Sequence, residues 1–298
     1  MDWLTRLPVI GPVAARLMRT HVWRCYERLT GVSWSRLAAA ITFTSFLSLF
    51  PLLTVAAAVG AAVLSKQQLH SLERRLAEQV PGISGQLDFS ALVDNAGTVG
   101  VVAGALLLFT GLGWVGSLRE CLRAVWGLEE SPGNPVLLKL KDAAVLLGLG
   151  GVALASVACS GFATAVAGRV VQAAGLGTGA GVLLRAAGFC AAVLADFLLM
   201  AYVLSRLPGV RPPRRALVVA ALLGAVGFEL LKLLLSGYLQ GVAARSMYGA
   251  FGTPVALLLW INFTARLTLF CAAWTAEAGR GPAPGTPGAG TPAGAPAP

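Results

Sequence analysis

Glu229 and Lys232 stand three residues apart inside an otherwise apolar stretch, Ala216–Tyr238, ALVVAALLGAVGFELLKLLLSGY. A helix puts residues at that spacing on one face. A charge near the centre of a bilayer costs on the order of 3 kcal/mol, so that face must meet other helices or water. Two chemistries fit: an ion pair that locks two helices together, or a site for a substrate or a proton. The neighbouring apolar runs carry more of the same residue types, Asp196 in one and Asn262 with Arg266 in the other. Asp196 lies about ten residues into its run, and Glu229 and Arg266 about thirteen into theirs. At ~1.5 Å per residue these depths are roughly 15–20 Å, near the midplane of a ~30 Å hydrocarbon core. Asp196, Glu229, Lys232 and Arg266 together sum to zero charge. Asn262 adds a neutral hydrogen-bonding partner.

The patterns that mark hydrolases and metalloenzymes are missing. There is no HExxH, no GxSxG and no phosphate-binding P-loop, and the two histidines, His21 and His70, fall on opposite predicted sides of the membrane. Glu129-Glu130 beside a turn reads as a solvated helix end. The five cysteines, Cys25, Cys121, Cys159, Cys190 and Cys271, show no CxxC spacing. Neither a disulfide framework nor a metal site is expected, and no cofactor. The chain is not expected to be an enzyme.

Composition explains why these charges are informative. Of 298 residues, 56% are hydrophobic and 12% charged, against about 25% charged in soluble domains, and mean hydropathy is +0.75. The formal charge of +10 comes from 23 Lys and Arg against 13 Asp and Glu. The excess is mostly arginine beside apolar runs, where anionic headgroups account for it. No interleaved basic and aromatic stretch points to nucleic acid.

The elements that must position the charges are therefore membrane spans. Residues 1–36 form a basic amphipathic arm, with Met18, Val22, Tyr26 and Leu29 at helical spacing. It either lies on an anionic membrane surface or packs against the bundle. Residues 37–278 hold six spans, at about 37–64, 95–115, 143–168, 186–205, 216–238 and 253–276. Pro51 sits inside the first and is expected to kink it and act as a hinge, with Thr42, Thr44, Ser45 and Ser48 supplying hydroxyls to freed carbonyls or neighbouring helices. Residues 65–92 are a polar connection with a short amphipathic helix, 117–142 a charged amphipathic connector, and 175–181 a flexible glycine-rich link. Residues 279–298, rich in Pro, Gly and Ala, form a disordered tail. The fold class is an all-α membrane protein: a bundle of six transmembrane helices with amphipathic interfacial helices.

Basic residues distribute unevenly over the connections. Fifteen fall in the N-terminal arm, 117–142, 206–215 and the tail, and six on the other side. The positive-inside rule then places both termini in the cytoplasm, and an even number of spans agrees.

Three stretches carry a family resemblance: AAAITFTSFLSLFPLL in the first span, LRECLRAVWGLEE in the connector, and YGAFGTPVALLLWINFTARLTLFCAAWTAE around the last span. In this order and spacing the chain resembles the YihY/BrkB family of bacterial inner-membrane proteins over about residues 20–278. The resemblance implies a six-span plasma-membrane protein. It also implies association with virulence, serum resistance or export, and a former label of ribonuclease BN that is regarded as mistaken. It carries over no catalytic residue. The reading that follows is a transporter or exporter of an amphiphilic or anionic solute, with Asp196, Glu229, Lys232, Asn262 and Arg266 lining the pathway. The rival is a non-transporting scaffold in envelope assembly whose ion pairs are structural. Expected partners are membrane lipids, an amphiphilic or anionic small molecule and a second copy in a homo-oligomer, but not nucleic acid.

Overall fold

The computed structural model of the chain describes residues 20–63, 96–129, 133–152, 154, 178–241 and 249–279, and every regular element among them is helical. In chain order these are α1 (His21–Gly31), α2 (Trp34–Val63), α3 (Ala96–Trp126), α4 (135–152), α5 (Thr178–Arg206), α6 (Arg214–Gly241) and α7 (Gly249–Gly279). Five of them, α2, α3, α5, α6 and α7, are long and apolar enough to cross a membrane. The chain is an all-helical membrane protein. The expected third span, about 143–168, lies mostly outside the described residues, and its beginning belongs to α4. The connection at 65–92 and residues 280–298 lie outside them as well.

The packing centres on α7, which touches α1, α2, α3, α5 and α6. Most of its buried positions are small, among them Ala256, Ala265, Cys271, Ala272, Ala273 and Ala276, with Leu269 and Ile261 the large apolar exceptions. Without a hydrophobic drive between helices in lipid, small residues that let backbones approach supply the association. Many large apolar side chains point outwards, with Phe43, Phe109, Leu147 and Leu234 all more than 60% exposed. That inversion of the soluble pattern is what a lipid-facing surface requires.

Three local expectations are corrected. The connector expected at 117–142 is largely helix, because α3 continues to Trp126 and α4 has begun by 135. Val115, Leu118, Leu122 and Val125 are all buried and keep one helical phase, so the stripe extends the span instead of starting a separate element. Gly127, with φ +69°, then ends α3. Its N–H bonds the Ala124 carbonyl at 3.0 Å and the Leu128 N–H that of Arg123 at 3.0 Å, the paired bonds of a left-handed glycine cap.

The second correction concerns the apolar face of the arm. α1 packs onto the bundle through Cys25 and Leu29, whereas Val22 and Tyr26 are 52% and 47% exposed. A stripe read at 18, 22, 26 and 29 straddles two faces, and contact with α7 selects the one on which Cys25 lies. The Thr20 hydroxyl caps this helix by accepting from the Trp23 N–H at 3.3 Å.

Third, Thr178–Gly181 belong to α5 and not to a link.

Around Pro51, α2 is one continuous helix. The hydroxyls before it bond carbonyls at least three residues earlier than Leu47, whose carbonyl the proline frees. Thr42 Oγ1 donates to Ala38 at 2.6 Å, Thr44 Oγ1 to Ala40 at 3.0 Å, and Ser48 Oγ to Thr44 at 2.9 Å. Two of them also knit α2 to α3: Ser48 Oγ donates to the Thr110 carbonyl at 3.3 Å, and Trp114 Nε1 donates to Ser45 Oγ at 2.7 Å.

Candidate functional site

The five candidate residues form two sets. In the first, Lys232 Nζ on α6 donates to Asp196 Oδ2 on α5 at 2.8 Å and to Glu229 Oε1, one turn back on its own helix, at 3.0 Å. One ammonium thus serves two carboxylates, and the Phe228 ring lies 4.8 Å from it. α5 and α6 approach closely here because Gly224 receives Met200, whose Cγ would lie 2.7 Å from a Cβ at that position. The carboxylates are the better covered members, with side chains 17% and 13% exposed against 39% for Lys232. Fully ionised, the triad carries a formal charge of −1. One proton, or one monovalent cation, brings it to zero.

The second set is separate. Arg266 Nε donates to Asn262 Oδ1 at 3.0 Å, Asn262 Nδ2 donates to Thr42 Oγ1 at 3.1 Å, and the Thr42 hydroxyl donates its own hydrogen bond to the Ala38 carbonyl. The guanidinium lies 5.3 Å over Trp34, reaching along α2 towards the helix start. Among the described residues no carboxylate pairs with Arg266. Similar depth therefore does not bring all four charges into one cluster, because α7 presents Arg266 to α2 while the triad lies between α5 and α6. Thr42 and Trp34 are the members of this relay that depth alone does not single out.

A third polar region occupies the end of the bundle where the arginine-rich connections gather. Arg28 Nε on α1 donates to Glu277 Oε1 on α7 at 2.6 Å, and Arg28 Nη1 donates to the Val125 carbonyl at 2.8 Å. His21 Nε2 lies 3.1 Å from the Trp274 carbonyl, with its ring edge-on to that indole at 4.3 Å. Arg119 Nε donates to Asp142 Oδ1 at 2.9 Å, joining α3 to α4. Arg123 Nη1 donates to the Pro208 carbonyl at 2.7 Å, joining α3 to the turn before α6. In the sequence the arginines among them, Arg28, Arg119 and Arg123, mark sidedness. Their signal as partners is weak, since each pair is far apart in the chain.

Cys25 is fully buried in this region. Burial first, and the charge of Glu277 second, push its thiol from 9.0 up to about 11. At pH 8 the thiolate population, and with it the maleimide reaction, should fall about a hundredfold below that of a free thiol. Site-resolved mass spectrometry of maleimide adducts checks this, with Cys25 labelling only after denaturation. Among the described residues no group of three His, Cys, Asp or Glu is placed to hold a metal ion.

Comparison with known proteins places this architecture. Residues 25–291 match the family described as virulence factor BrkB. The chain belongs to the BrkB/YihY family. It is similar to the inner membrane protein YhjD of Escherichia coli, at 31% identity over 87% of this chain and 80% of the relative. It is also similar to an uncharacterized protein of Dickeya dadantii, at 32% over 93% and 86%, and to a UPF0761 membrane protein of Laribacter hongkongensis, at 34% over 43% and 31%. No solved structure matches it. None of these names carries an enzymatic activity. The BrkB-like stretches fall on α2, the end of α3 and α7, three helices in mutual contact.

Proposed function

We propose that this protein moves an amphiphilic or anionic solute across the bacterial inner membrane, and that Asp196, Glu229 and Lys232 exchange a proton as it does so. The observation that carries the reading is the sharing of one lysine by two carboxylates between α5 and α6. A structural pair needs one acid per base. The second acid leaves a surplus charge in a medium that penalises it, so the site gains from a proton or a cationic group. Intramembrane ionisable groups of this kind mark proton relays and substrate sites. The Arg266–Asn262–Thr42 relay supplies a fixed positive charge at comparable depth for an anionic group. In this reading the arginine-rich end faces the cytoplasm, lipids and the solute are the partners, and no reaction is catalysed.

Mass spectrometry of small molecules retained by the gently solubilised protein tests it. Wild type should retain a discrete ligand that Glu229→Gln and Arg266→Gln both lose while remaining inserted. Bulk lipid alone, identical in all three proteins, would overturn the reading.

A scaffold in envelope assembly is the second reading, favoured by one observation: the triad and the Arg266 relay are each hydrogen-bonded within themselves and do not meet. It predicts that replacing Asp196, Glu229 and Lys232 together by Asn, Gln and Met leaves cellular function intact at equal expression. Loss of function in that triple variant would count against it.

A further inference from the structure

The proton site does not use a cavity of about 430 Å³ at the arginine-rich end, between α1 and the ends of α3 and α7. Four charged side chains line it, Arg24, Glu27, Arg28 and Glu277, over an apolar wall that includes Val32 and Val125. Their formal charges cancel. Arg28 and Glu277 neutralise each other directly, and both are held by the fold. Arg24 and Glu27 are exposed, stand three residues apart on α1, and have no ion-pair partner among the described residues. A free cation and a free anion therefore sit on one rim.

Arg28 adds an unmet demand. Its side chain is only 8% exposed, its Nε and Nη1 are spent on Glu277 and Val125, and its Nη2 is buried without an acceptor. An unmet charged donor is costly, and an oxyanion entering the cavity that Arg28 lines would meet it once the guanidinium edge turns towards that cavity. Arginine forks suit phosphate in particular. A purely anionic ligand would face Glu27 and Glu277 as well as the arginines, and a purely cationic one the reverse. The complement to a balanced lining is a ligand carrying both signs.

We propose that this cavity binds a zwitterionic aminoalkyl phosphate of the phosphoethanolamine type, its phosphate at Arg24 and Arg28 and its ammonium at Glu27. The chemistry is shared by a free phosphoethanolamine and a lipid headgroup. The exposed apolar side chains of Val22 and Tyr26 on the same short helix give a lipid form somewhere to lay its chains. The site stands apart from the transport reading, since it draws on α1, α3 and α7 and on none of the triad.

Thermal unfolding of the full chain, purified in a phosphate-free maltoside detergent, tests this. The probes are free phosphoethanolamine, inorganic phosphate, short-chain phosphatidylethanolamine and short-chain phosphatidylglycerol. At least one ethanolamine probe should raise the unfolding temperature saturably, and more tightly than its anionic counterpart. Stabilisation by both identifies the headgroup alone as sufficient, and stabilisation by the short-chain lipid alone identifies a lipid as the source. Arg24→Gln should weaken either about tenfold, as loss of one charged hydrogen bond does. Glu27→Gln should erase the preference for ethanolamine over glycerol. Both side chains are exposed and unpaired, so the unliganded unfolding temperature should not move. The proposal is overturned if neither ethanolamine probe stabilises the protein, if ethanolamine and anionic probes bind equally to wild type, or if the two variants bind as wild type does.

Discussion

Lys232→Met is expected to destabilise the inserted protein by about 3 kcal/mol, the lower end of what removing one partner from a buried ion pair costs. The lower end applies because the Lys232 side chain is 39% exposed while its two acceptors are well covered. The loss is not that of two hydrogen bonds alone. Asp196 and Glu229 would be left facing each other across the α5–α6 contact with no cation, and one or both must be neutralised or hydrated. A second substitution makes the cause visible. Adding Glu229→Gln to Lys232→Met removes one stranded carboxylate and should recover part of the loss, and adding Asp196→Asn should recover most of the remainder. Denaturant unfolding in mixed micelles measures the series. Additive losses would show that the three side chains do not act as a unit.

The same triad separates what spacing can reveal from what it cannot. Glu229 and Lys232 are three residues apart on one helix, and geometry within a helix is fixed by its 3.6-residue repeat, so their contact is legible without coordinates. Asp196 and Arg266 have equal claim by depth to join the Glu229–Lys232 pair, yet only Asp196 does so. Depth supplies one coordinate, while rotation of each helix about its axis supplies the others. That rotation is set by packing details such as Gly224 against Met200 and Gly227 against Leu267. The arm shows the same limit: its amphipathicity is plain, but the choice of face followed from contact with α7. Spans are legible because lipid imposes a minimum length of apolar helix. Their ends are less so, because α3 carries its buried stripe past Arg119, a charged residue satisfied by Asp142.

The pair that fixes the arm yields the other large effect. Arg28→Met should cost about 3–5 kcal/mol, since it strands Glu277 and the Val125 carbonyl together. Glu277→Gln should cost less, because the amide oxygen still accepts from Nε, whereas Glu277→Leu leaves the buried guanidinium with no charge opposite it. The double variant Arg28→Met, Glu277→Leu should return to within about 1 kcal/mol of wild type, because apolar replacements of similar size often match a buried ion pair in stability. Maleimide labelling of Cys25 reads the structural consequence independently of global unfolding. This thiol is buried beneath α1, beside Glu277. Loss of the pair should therefore open it in Arg28→Met and leave it closed in the double variant. If Cys25 stays protected in the single variant, then α1 is held by Leu29 and by His21 against Trp274, and the ion pair sets where the helix docks without deciding whether it does.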